Sequence, residues 1–511
     1  MKKNGISRRD FIKGAAAGTI GVAAMGVLGA CSQGATSVDD INWDKESDVV
    51  IVGGGGTGVA AAAQAAMDGA QVLILEKAGI AGGTTNYSGG VMQASSTKYQ
   101  KEFTDFKDDT PEKHFQLWLK AGEGLVDEDL VKDLAYGAPD HIEWLSDMGL
   151  KFTSVYGHSD IPYIDKNLFA DRIHVYEGGG GHGGGVPMVN AMLDSAVANG
   201  AVIEYNTEVT ELITNDNGEV IGVVANQDGK SINVKAKKGV ILASAGIDNN
   251  KQMAKELAPQ QYWAITNGVP MCAETDTGDG IRIAMEIGAS VCGFGGTIDF
   301  CGKTGASTDN RVPHFPAFIV NGKGKRFVNE DATYAYHYRA IFQQESQLDA
   351  PTYMIFGESS LSDEFARWNK ESLDKDIAEG TVIQGNTIEE LAAKIEVDSA
   401  NLADTLATWN NEAANGKDNQ FDRTTGLKAI TGPFYAYKNT AFNLGAIGGV
   451  KINTDAQAID TKGEIIPRLY AGGLNAGGWI GPYYPGSGTA IIGTVHWGRK
   501  AGAHAAKLTS L

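Results

Sequence analysis

The stretch from Asp48 to Lys77, DVVIVGGGGTGVAAAAQAAMDGAQVLILEK, constrains the fold more than any other part of the chain. Val49 to Val52 is a short apolar run of the kind that forms a buried parallel strand. Gly53, Gly55 and Gly58 then complete G-x-G-x-x-G, with Gly56 and Thr57 inside it, before an alanine-rich helical segment. A second apolar run, Val72 to Leu75, ends at Glu76. The order strand, tight turn, helix, strand predicts a βαβ unit that binds a dinucleotide. Its glycines let backbone N–H groups approach a pyrophosphate at the positive end of a helix, and a carboxylate at the end of the second strand takes the ribose hydroxyls. The motif alone does not choose between nicotinamide and flavin cofactors.

Residues 1 to 37 stand outside the fold. Ser7-Arg8-Arg9-Asp10-Phe11-Ile12-Lys13 precedes a weakly apolar segment, Gly14 to Ala30, and together they predict a twin-arginine export signal. Leu28-Gly29-Ala30-Cys31 resembles a bacterial lipobox, which would make Cys31 a lipidated first residue and a membrane contact; plain cleavage elsewhere and an uncleaved anchor are the alternatives. The expected location is the cell envelope, on the outer face of the cytoplasmic membrane. A net charge of −19 with no basic cluster beyond the signal argues against nucleic acid as a partner. Cys272, Cys292 and Cys301 have no C-x-x-C or C-x-x-C-H spacing, so no metal, haem or iron–sulfur signature is present.

After Lys77 comes Gly82-Gly83-Thr84-Thr85-Asn86-Tyr87-Ser88-Gly89-Gly90, a loop able to lay small residues along the far half of a longer cofactor. With the preceding motif it resembles the FAD domain of the fumarate reductase, succinate dehydrogenase and 3-ketosteroid dehydrogenase flavoprotein superfamily. The resemblance implies an α/β fold: a Rossmann-like FAD-binding domain of glutathione-reductase type, interrupted by an α+β substrate-capping domain. The expected boundaries are 46–286 and 432–511 for the two parts of the FAD domain and 287–431 for the cap, with cap helices at 362–370 and 387–412. Non-covalent FAD would be held by the glycine motif, Glu76, Lys77, Gly83, Thr84, Thr85, Gly89 and Gly90, then by Val209, Ala245, Gly246 and Asp279. In the returning segment the resemblance adds Gly473, Asn475, Ser487, Gly488, Ala490 and Ile491, with Asn475 where fumarate-type relatives carry a ribose-binding glutamate. Gly178 to Gly185, GGGGHGGG, reads as a hinge or a loop beside the cofactor, and His182 within it as a surface histidine.

The same comparison of motifs narrows the chemistry. After Gly324-Lys325-Arg326-Phe327-Val328-Asn329-Glu330, Tyr334 stands where fumarate-type members carry a catalytic arginine. Asn443-Leu444-Gly445-Ala446-Ile447 lacks their substrate-binding histidine, and Gly481 to Gly488 lacks their carboxylate-binding arginine. A dicarboxylate would leave buried charge unpaired there, at a cost of several kcal/mol. Tyr483-Tyr484-Pro485-Gly486-Ser487-Gly488 instead resembles the 3-ketosteroid dehydrogenase branch, in which a tyrosine hydroxyl and a glycine N–H hold a substrate carbonyl. Carried over, Tyr484 and Gly488 are the donors and Tyr334 handles the proton, with Tyr483 the alternative to Tyr484 and Tyr336, His337 and Tyr338 the alternatives to Tyr334. The expectation is an exported FAD oxidoreductase that reduces, or introduces, a C=C bond conjugated to a ketone, with steroid-like ketones among the candidates. Its small unsaturated substrate would be joined by a membrane cytochrome or quinone as electron partner. The alternatives are a reductase of an unsaturated carboxylic acid, for which Arg311 and Arg339 are the candidate ligands, and a non-catalytic flavin electron carrier.

Overall fold

The computed structural model describes residues 41–157, 161, 163–301 and 314–511. The segment expected to be an export signal, with Cys31, and Arg311 lie outside the described residues. Three helices matter for the site: α1 (Gly56–Met67), α2 (Tyr334–Leu348) and α3 (Thr489–Lys507).

The large domain is built on β1 (Lys45–Val52), β2 (Val72–Leu75), β3 (Val202–Glu204), β4 (Thr207–Thr214), β5 (Val220–Gln227), β6 (Lys230–Leu242), β7 (Gln457–Ile459) and β8 (Ile465–Ala471). They form one sheet in the order β7-β8-β6-β1-β2-β3, and β4 and β5 join it as antiparallel ribbons on the long β6. The contacts of β1 with β2 and β6, and of β6 with β8, are parallel. Val49, Val50 and Ile51 are fully buried. That explains the unbroken apolar run, because a central parallel strand is covered on both faces.

Helices α1 and α3 lie against one another beside this sheet. Their approach requires glycine: a Cβ at Gly498 would stand 2.5 Å from the Thr57 carbonyl oxygen, and one at Gly502 would stand 2.4 Å from that of Ala61. The close packing brings the N-termini of both helices to one cleft, although they are far apart in sequence.

The cap has its own antiparallel sheet, in the order Phe318–Val320, Tyr353–Gly357, Phe434–Lys438, Val382–Gly385. Phe434–Lys438 was expected beyond the boundary at residue 432, yet it is an inner strand of the cap sheet, pairing on both edges. The chain returns to the large domain only after it. Expected helix limits also shift. Lys370–Ala378 replaces 362–370, because Asn369 caps a new start by accepting from the Ser372 N–H. The stretch 387–412 becomes Ile388–Lys394 and Ser399–Asn415, separated by Glu396 at φ 58° and a fresh cap at Asp398. The Lys-Arg-Phe motif has a structural task here: Arg326 bridges Glu330 at 2.7 Å and Asp418 at 2.8 Å, with its guanidinium over Trp409.

Candidate active site

A cleft runs from Glu76 at the end of β2 to Ala490 at the start of α3. Gly55, Gly56 and Thr57 line it at the N-terminus of α1. No side chain caps that helix and its first turn carries no acid, so the free N–H groups of the turn are available to an anion. The glycines do distinct work. Gly53 adopts φ 98°, and a Cβ at Gly58 would fall 1.9 Å from the Gly53 carbonyl oxygen, so Gly58 seats the helix on the strand rather than touching the cleft.

At the first end, the two carboxylate oxygens of the buried Glu76 accept hydrogen bonds from the N–H groups of Gly54 and Ala78, each at 2.6 Å. Burial raises its pKa and those N–H groups counter the rise. Lys77 also lines the cleft, but it is engaged by Glu208 at 2.8 Å and Asp279 at 3.0 Å. It therefore ties three segments of the wall together. Gly83, Thr84, Thr85, Val209, Ala245 and Asp279 all line the cleft as expected. Thr84 additionally donates to the Asp276 carboxylate and accepts the Ala273 N–H at 2.7 Å.

Other expected residues stand behind the wall. Gly89 accepts from the Gly180 N–H at 2.8 Å, and Gly90 is pressed against Tyr176 and Gly184, so both brace the GGGGHGGG loop beneath Thr85 and Ser88. His182 in that loop is exposed. Gly246 abuts Asp248, and Gly473 abuts Thr57. Residues Gly473–Asn475 form a single tight helical turn in which Leu474 lines the cleft, while Asn475 stands behind the cleft-lining Ser244 and accepts from its N–H and hydroxyl at 3.2 Å. Leu474, with Met271, Ile298 and Leu444, makes the far end of the cleft apolar. The sequence reading missed these four, together with Glu208 and Asp276. Asp276 alone had a signal, as the acid preceding Thr277-Gly278-Asp279-Gly280.

Ala490 and Ile491 close the cleft, and the candidate catalytic groups lie immediately behind them. The Tyr484 hydroxyl accepts the Ala490 N–H at 3.0 Å. Tyr334, the first residue of α2, faces it from the cap with ring centroids 6.1 Å apart. The rings are 4% and 7% exposed. Burial pushes the Tyr484 hydroxyl up to about 12 and holds Tyr334 well above the usual range; in each case the next influences are the partner tyrosine, the adjacent Tyr483, Ser487 or backbone N–H groups. Both are thus neutral donors at ordinary pH. Tyr483, the other tyrosine of the motif, turns away and hydrogen-bonds Thr333. Arg339 is spent elsewhere: it makes a bidentate pair with Glu123 at 2.9 Å.

A family model described as FAD binding domain matches residues 48–491. The chain belongs to that family. The flavoprotein is 29% identical to the digoxin reductase of Eggerthella lenta, over 99% of this chain and 98% of that protein. It is 31% identical to the fumarate reductase (cytochrome) of Shewanella frigidimarina, over 90% of this chain and 77% of that protein. Among solved structures it is similar to the 3-ketosteroid-Δ4-(5α)-dehydrogenase of Rhodococcus jostii in complex with 4-androstene-3,17-dione, with a TM-score of 0.76 and 28% identity over 92% of this chain and 99% of that one. The open conformation of a flavocytochrome c3 fumarate reductase gives a TM-score of 0.69 and 29% identity, over 91% of this chain and 79% of that one. The flavoprotein is accordingly an FAD-dependent oxidoreductase of the fumarate reductase and ketosteroid dehydrogenase type, acting on C=C bonds.

The residues present fit the cofactor. Uncapped N–H groups at α1 suit its pyrophosphate, Glu76 suits a ribose, and the apolar end with the α3 N-terminus suits the flavin ring. Bound FAD supplies hydride chemistry. The chain's own residues bind, orient and exclude water around it.

Proposed function

We propose that the flavoprotein reduces, or in reverse introduces, a C=C bond conjugated to a ketone. The observation that carries this reading is the buried pair of hydroxyls, Tyr334 and Tyr484, facing one another at the N-terminus of α3. Tyr484 and the Gly488 N–H, two neutral donors on a ketone oxygen, would stabilise an enolate, which is where negative charge develops as the β-carbon gains or loses hydride. The N–H groups feeding the Tyr484 oxygen would strengthen its donated hydrogen bond. Tyr334 would deliver or take the α-proton. A carboxylate substrate finds less support, because the described candidate for its counter-ion, Arg339, is already paired with Glu123.

The test is to reduce the holoprotein with dithionite and add a panel of enones, including 4-androstene-3,17-dione, alongside unsaturated acids. Reoxidation by enones is the expected result. Reoxidation by unsaturated acids alone would overturn the reading, and reoxidation by neither would favour an electron carrier.

The electron supply we propose is a membrane cytochrome or quinone reached outside the cytoplasm, supported by the Arg8-Arg9 motif and the lipobox at Cys31. Changing both arginines to lysine should leave the protein in the cytoplasmic fraction. Unchanged appearance in the envelope fraction would count against export by this route.

A further inference from the structure

We propose that Gln93 is a positioning residue that fixes the direction of the Gly488 N–H, the backbone donor of the ketone reading on which this inference rests. Gln93 ends the two-residue strand Met92–Gln93, which pairs with Ile173–Tyr176, and it is 3% exposed. Its side-chain amide donates from Nε2 to the Ser487 carbonyl oxygen at 3.0 Å. Its backbone N–H donates to the Gly488 carbonyl oxygen at 3.3 Å.

The Ser487 C=O and the Gly488 N–H belong to one trans peptide plane, in which they point in opposite directions. Holding the carbonyl on Gln93 therefore turns the N–H to the other side. That is the side of the Tyr484 hydroxyl, whose oxygen accepts the neighbouring Ala490 N–H at 3.0 Å and lies within reach of the Gly488 N–H. A lock is needed because this segment turns easily. Gly486 at φ 126° and Gly488 at φ 94° flank Ser487, and glycine accepts either sign of φ, so the intervening peptide can rotate as a unit. A rotated plane would present a carbonyl oxygen where the site requires a donor.

His114 fixes the amide in turn. Its Nε2 lies 3.3 Å from Gln93 Oε1. The ring is fully buried, and burial together with Arg172 and His174 holds its pKa well below the ordinary range. The imidazole is neutral and Nε2–H donates to Oε1, leaving Nδ1 without a partner. Turning the amide over would set oxygen against the Ser487 carbonyl and N–H against N–H. Both contacts would be lost together.

The experiment uses full-length holoprotein with Gln93→Leu and Gln93→Glu, Tyr484→Phe serving as reference. Gln93→Leu should keep its FAD and show only a modest fall in melting temperature, comparable to that of Tyr484→Phe, because the Ser487 carbonyl and the His114 N–H lose their partner. It should lose about 10- to 100-fold in kcat on 4-androstene-3,17-dione, with KM little changed, a loss at or below that of a deleted oxyanion donor. A glutamate at this position can donate to Ser487 only when protonated. The Gln93→Glu variant should therefore recover about tenfold as pH is lowered through its carboxyl pKa, while Gln93→Leu stays flat. A readout without turnover is 4-nitrophenol, whose phenolate resembles an enolate; Gln93→Leu should weaken its binding to the oxidised holoprotein about tenfold.

Wild-type turnover and wild-type phenolate affinity in Gln93→Leu would overturn the proposal. So would loss of FAD, or a fall in melting temperature well beyond that of Tyr484→Phe, without pH recovery in Gln93→Glu, which would assign Gln93 to packing. If no ketone is turned over by the wild type, yet both Gln93→Leu and Tyr484→Phe weaken phenolate binding, the ketone reading fails and the positioning role stands.

Discussion

Replacing Tyr484 with phenylalanine is expected to slow enone turnover by about 10²- to 10³-fold while FAD stays bound, the effect typical of removing one preorganised donor from an oxyanion site. The ring is 4% exposed and packs against Tyr334, so phenylalanine keeps the shape and loses only the hydroxyl. What remains is an uncompensated Ala490 N–H, since the Tyr484 oxygen is its acceptor at 3.0 Å. That orphan donor costs about 1–3 kcal/mol of stability and should appear as a modest fall in melting temperature. The main loss belongs to kcat rather than to KM, because the hydroxyl is argued to act on charge that develops only along the reaction. Stopped-flow reoxidation of the reduced variant measures it. A wild-type rate would falsify the role given to Tyr484, and a large rise in KM alone would reassign the hydroxyl to substrate binding.

The second large effect is at the glycine turn. Gly58→Ala should abolish FAD retention and destabilise the large domain by about 3 kcal/mol or more, since overpacking at a site that cannot yield is felt in full. The added Cβ would sit 1.9 Å from the Gly53 carbonyl oxygen and 3.0 Å from its carbon, both of them backbone atoms at the end of β1. Gly55→Ala is the informative companion. Gly55 has an ordinary φ of −69°, and its new Cβ would have no protein atom nearer than 3.8 Å, but the residue lines the cleft. It should fold normally and lose FAD affinity. Flavin absorbance per polypeptide and thermal melting read the two effects separately. Full FAD occupancy in Gly55→Ala would mean that the α1 N-terminus does not hold the pyrophosphate, and an unchanged melting temperature in Gly58→Ala would contradict the packing role.

Much of this molecule is legible in one dimension. The run Val49 to Val52, the glycine spacing and Glu76 specify a buried parallel strand, a turn and a second strand, because backbone conformation and burial period are local properties. The motifs also foretold the family, the FAD and the interrupted large domain. The departures have one common cause: which way a side chain turns, and whom it meets, depends on segments hundreds of residues away. Lys77 met Glu208 and Asp279; Arg339 met Glu123; a single helical turn placed Leu474 on the cleft wall and Asn475 behind Ser244. Phe434–Lys438 reads as an ordinary strand, and only the edges offered by Tyr353–Gly357 and Val382–Gly385 assign it to the cap. The sequence by itself determined the βαβ cradle and the presence of Tyr334 and Tyr484. The tertiary structure alone decided that those two hydroxyls face each other at the head of α3, since glycine-mediated contact between α1 and α3 places that helix end and the cap brings Tyr334 to it.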